Sequence, residues 1–190
     1  MTRHDVRGSI ISPADVLAFW LAAGREKWFD GGTAFDEEVR DALLPLHEAA
    51  AAGALDGWRE TPEGALAWII LMDQVPRNVF RGTPRAFATD ARALAAAEQA
   101  VARGFDAAAQ IAPALRSFFY LPFMHAEDEA AQARCIDLYQ ALGHEEGLRY
   151  ALVHKEVIDR FGRFPHRNAI LGRPMSAAEQ AYLDGGGFSG

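Results

Sequence analysis

Apolar residues recur along the chain at helical intervals, and polar punctuation divides them into about eight stretches. Ser12-Pro13-Ala14-Asp15 reads as a helix start, with a hydroxyl cap, a proline at the first helical position and an acid in the first turn. Val16, Phe19, Trp20 and Ala23 then share one face. Gly24 is expected to stop this helix, leaving 25–32 as a loop whose Trp28 and Phe29 fold back onto the core. A second helix is expected from about Ala34, with Thr33 and Asp36 as a capping box, a kink or division at Pro45 and an end near Gly53. Thr61-Pro62-Glu63 opens a third helix, ALAWIILMDQ, apolar nearly all round and therefore central. Pro76 should end it, because proline has no amide hydrogen and crowds the preceding turn.

The fourth helix is predicted to open at Thr83-Pro84 or Thr89-Asp90 and to close at Gly104. A fifth follows from Ala107 to Leu121, and a sixth from Glu127 to Leu142 with Ala131, Cys135, Leu138 and Leu142 inside. The seventh runs from Glu145 to about Arg163, and Ser176 and Glu179 cap a short eighth. No alternating run of six and no Asn-Gly or Asp-Gly pair points to a strand. The predicted fold is all-α: one domain over 1–184 in antiparallel helical hairpins, with a flexible tail at 185–190.

Composition agrees, since half the residues are hydrophobic and Ala and Leu outnumber the β-branched types. The net charge of −7 arises between Glu26 and Glu63, where ten acids face Lys27, Arg40 and Arg59. An acidic whole with a small basic cluster does not suit nucleic acid, which needs a broad basic face. No apolar run reaches membrane-spanning length, and the first dozen residues lack the apolar stretch of a signal peptide. Cys135 is the single cysteine, so no internal disulfide can form. A soluble cytoplasmic protein is expected, and nothing sets its oligomeric state.

The polar residues concentrate at two predicted helix exits. Asp73–Arg85, DQVPRNVFRGTPR, brings Asp73, Gln74, Arg77, Asn78 and Arg81. Arg160–Arg173, RFGRFPHRNAILGR, brings Arg160, Arg163, His166, Arg167 and Asn168. Pro76 is expected to leave Asp73 on a helix end and Arg77 in the turn beyond. Crowded guanidiniums repel unless acids or a bound anion lie between them. Asp73, Glu156 and Asp159 are the internal candidates for that role. A third stretch, FFYLPFMHAED, sets Tyr120 and His125 at a junction, and its acids suit the positive start of the sixth helix. His154 lies among apolar residues of the seventh helix, where a satisfied core histidine is the ordinary case. His125, His154 and His166 are the candidate acid–base groups. With Asp73 they also offer metal ligands, but at no recognised spacing, so neither metal nor cofactor is expected.

The same three stretches, with SAAEQAYL after the last, resemble a bacterial family of uncharacterised proteins, the domain-of-unknown-function 924 family. The resemblance covers nearly the whole chain; Val75 and Ala126 stand where Phe and Ser are expected. It implies tetratricopeptide-type helical packing without an obvious sequence repeat, and no repeat of about 34 residues is visible. It implies no activity. Three functions fit: a pocket for a small anionic, phosphate- or carboxylate-bearing metabolite with histidine acid–base chemistry; a scaffold for a peptide or partner protein; and an internal lock in which Asp73 and Asp159 pair the arginines.

Overall fold

In the computed structural model, which describes residues 12–190, eight α-helices and several 3₁₀ turns succeed one another, with no strand among the described residues. The expectation for the first dozen residues falls, apart from Ser12, outside them. The helices are α1 (Pro13–Asp30), α2 (Gly32–Ala51), α3 (Pro62–Val79), α4 (Asp90–Ala102), α5 (Leu121–His125), α6 (Glu129–Leu142), α7 (Glu145–Phe161) and α8 (Ala177–Asp184). No helix among the described residues is long and apolar enough to cross a membrane.

Helix α3 is the axis of the molecule. Every residue from Gly64 to Pro76 is buried, and α1, α2, α4 and α5 pack around it. Thr61 caps it through its hydroxyl, which accepts from the Gly64 N–H at 3.2 Å. The α6–α7 hairpin packs against α5. A smaller cluster joins Val157 and Ile158 of α7 to Phe164, with Phe161, Tyr182 and Phe188 packed against it.

Several predicted boundaries move for local reasons. Gly24 takes φ +74° and ψ 169°, non-helical values open to glycine, so the first helical segment does stop there and a second follows within α1 where a loop was expected. Helix continues to Asp30, where Trp28 donates its indole N–H to the Trp20 carbonyl at 2.6 Å while Phe29 stays 57% exposed. Pro45 sits inside an undivided α2. The capping box at Thr33 does not form, because α2 begins at Gly32 and Asp36 is engaged elsewhere. The predicted fifth helix is mostly 3₁₀ turns, Phe105–Ala107 and Pro113–Phe119. Pro113 and Pro122 each start a new segment, as a residue without an N–H fits only a first turn.

Candidate functional site

The largest departure from expectation is at Pro76, and it builds the site. Helix α3 runs on one further turn to Val79. Proline removes the amide that would bond to the Met72 carbonyl, and the Thr89 hydroxyl supplies the missing donor at 2.5 Å. Arg77 therefore stays one helical turn from Asp73. Its Nη1 donates to the Asp73 carbonyl at 2.7 Å and lies 3.2 Å from the carboxylate. Gln74 Nε2 donates to the same carboxylate at 2.6 Å. His125, at the end of α5, places Nδ1 2.9 Å from both carboxylate oxygens. Asp73 itself is 1% exposed.

These contacts set the protonation states. Burial alone would raise the Asp73 carboxyl, but Arg77 and then His125 outweigh it and hold it well below the usual carboxylate range. An ionised carboxylate only accepts, so the His125 Nδ1 carries the hydrogen and Nε2 keeps a lone pair. Burial, and after it the Arg77 guanidinium, push the His125 pKa down despite the neighbouring acid. Much of the charge on Asp73 is already committed to Arg77. His125 is thus held as a neutral imidazole, oriented by a buried acid, with its lone pair at Nε2.

Behind this dyad Arg77 forks onto Asp90, with two contacts of 2.8 Å. Arg167 reaches the same carboxylate at 3.3 Å and lies 4.6 Å from the ring centres of both Phe87 and Phe164. Burial and the nearby Arg77 lower its pKa to about 10, and its buried Nε has no partner. Two of the predicted exits do meet here, through Arg77 from α3 and Arg167 from the 3₁₀ turn Pro165–Arg167.

His125 borders four adjoining hollows. One, of about 360 Å³, is lined by Arg77, Arg81, Arg167, His125, His154 and His166, with Phe188–Gly190 along one side and no Asp or Glu in its wall. His154 Nδ1 donates to the Tyr150 carbonyl at 2.8 Å, and the Phe188 ring lies 4.3 Å away. Burial lowers His154 to about 4. Burial and then Arg167 lower His166 to about 4 as well, and its buried Nδ1 has no partner. Among the described residues no group of three or more His, Cys, Asp or Glu side chains could hold a metal ion.

The remaining candidates stand apart from this hollow. Asn78 and Arg81 both donate to Asp36, although Arg81 also lines the basic wall. Arg163 lines none of the four hollows; Glu179 accepts from it at 2.6 and 3.0 Å, and the Pro174 carbonyl at 3.0 Å. Buried Asn168 donates to Glu179 and accepts from Arg173, while Arg173 forks onto Glu127. Arg160 is exposed over the rings of Phe161 and Tyr182. Tyr120 donates its hydroxyl to Asp106 at 2.7 Å. Asp159 pairs with Lys155 on the surface, so it is not the internal counter-ion expected for the arginines. Asp73 does face Arg77, and the rest of that work falls to Asp36, Asp90, Glu127 and Glu179. In the sequence all four stand at predicted helix starts, where an acid already has a local explanation.

Comparison with known proteins bears on these residues. A family described as "Bacterial protein of unknown function (DUF924)" matches residues 16–187. A solved structure of a protein of unknown function from Agrobacterium tumefaciens is 48% identical, with a TM-score of 0.86, covering 91% of this chain and 97% of that one. A comparison with curated proteins gives no match.

Proposed function

The chain belongs to the bacterial family of unknown function DUF924, and from that premise we propose that it binds a small anionic molecule in the basic hollow, with His125 as an acid–base group. The observation that carries this reading is the composition of one wall: three arginines and three histidines with no Asp or Glu side chain among the lining residues. Arg77 and Arg167 are paired with Asp90, and Arg81 with Asp36, but neither acid is among the residues that line the hollow. A phosphate or carboxylate there would accept from Arg77, Arg81 and Arg167. His125 Nε2 stands ready to take a proton from the bound molecule or from water beside it.

Each charge-assisted contact contributes about 1.5–3 kcal/mol, which after ordering costs gives affinities of roughly micromolar to millimolar. Thermal shift against phosphorylated and carboxylated metabolites is the direct test. A stabilising compound should lose about ten-fold or more in affinity in Arg81→Ala, a substitution at a side chain 62% exposed. Arg163→Ala, remote from the hollow, should leave that affinity unchanged. Absence of any shift across the panel would falsify the reading.

A scaffold reading draws support from the α2–α3 and α6–α7 hairpins, which suit tetratricopeptide-type packing, and from exposed Leu152 and Val153 on α7. Partner capture that survives Arg81→Ala but is lost in Leu152→Ser with Val153→Ser would favour it.

A further inference from the structure

The basic hollow does not stand alone. A second hollow of about 360 Å³ shares His125, His154, Phe188 and Gly190 with it, and its wall carries one arginine, Arg25, where the first carries three. Leu121, Met124 and Tyr139 form its buried floor, with Phe29 and Tyr150 exposed at its edge. The charged pair in its lining, Arg25 and Glu146, is self-neutralised at 2.5 Å. A hollow so lined favours an apolar group, and its volume accommodates a short alkyl chain or one aromatic ring. His125 is one of the four residues that border both spaces, so one molecule that occupies the two lies beside the imidazole.

Resting on the anion-site reading above, we infer that the ligand is two-ended. Its anionic group meets Arg77, Arg81 and Arg167, its alkyl or aryl group lies over Leu121 and Met124 and is covered by the Phe29 and Tyr150 rings, and the bond joining them passes His125. The dyad is then placed against the middle of the molecule, where acid–base chemistry acts on a joining bond.

Isothermal titration with inorganic phosphate, butyl phosphate and hexyl phosphate tests this. Each added methylene should tighten binding about four-fold while the hollow is filling. Phe29→Ser combined with Tyr150→Ser, both at exposed positions, should remove most of that gain. Equal affinity for phosphate and hexyl phosphate overturns the two-ended ligand and leaves the anion site standing. A chain-length gain undiminished in the double variant also overturns it, because the chain then lies elsewhere. If none of the three binds, the anion site and this inference fall together.

Discussion

Asp73 carries a full charge at 1% exposure, and three donors from two helices offset the cost of burying it. The balance between those donors decides what His125 can do. Arg77 suppresses the imidazolium both by repelling it and by engaging the carboxylate that would otherwise favour it. Arg77→Gln should therefore move the His125 titration upward, which the ring resonances of a histidine NMR titration report. No movement, or a downward one, would show that Arg77 does not control the dyad. The sequence singles out Asp73, Arg77 and His125, and the structure brings them together. Beyond Asp73, it does not reveal the counter-ions of the arginines. Asp36, Asp90, Glu127 and Glu179 each sit where a helix start accounts for an acid locally, so a second role stays hidden until the fold supplies a guanidinium. Glu179 holds both roles, closing the cap with Ser176 while accepting from Arg163.

At the scale of elements, α3 shows how a local rule yields to a distant partner. Proline ordinarily ends a helix, yet α3 passes Pro76 because a hydroxyl 17 residues away satisfies the stranded carbonyl. Thr89→Val should cost about 1–3 kcal/mol by leaving the Met72 carbonyl unpaired in the core. The same substitution in a Pro76→Ala background should cost much less, since the restored amide reaches that carbonyl. Chemical denaturation of the four proteins measures the coupling; additive costs would mean that Thr89 does not repair the break. At Gly24 the predicted stop does break the helix, but a second helical segment follows it to Asp30 in place of the expected loop. Helix identity was legible from periodicity, and the behaviour at breakers was not, because it depends on what packs against the free backbone groups.

Across the whole molecule the four carboxylates link segments far apart in sequence. Asp36 ties α2 to the end of α3, Asp90 ties α4 to Arg167, Glu127 ties the α5–α6 junction to Arg173, and Glu179 ties α8 to Arg163. Asp90→Asn should lower stability by about 2–3 kcal/mol, as it weakens the bonds to both Arg77 and Arg167. The fold also carries a pH signature. His154 and His166 have folded-state pKa values near 4 and an ordinary value of 6.5, so between those limits the unfolded chain binds protons that the folded one refuses. Stability should be flat above about pH 6.5 and fall as pH drops towards 4, by at most about 1.4 kcal/mol per unit for each histidine. Urea midpoints at pH 7 and pH 5 check this, and equal midpoints refute it. The sequence by itself determined the helical class, the central place of α3 and the residues that carry the charge, because periodicity and residue chemistry are local properties. Only tertiary structure decided which acid meets which arginine and which guanidiniums face open space, because those depend on loop paths that no spacing along the chain encodes.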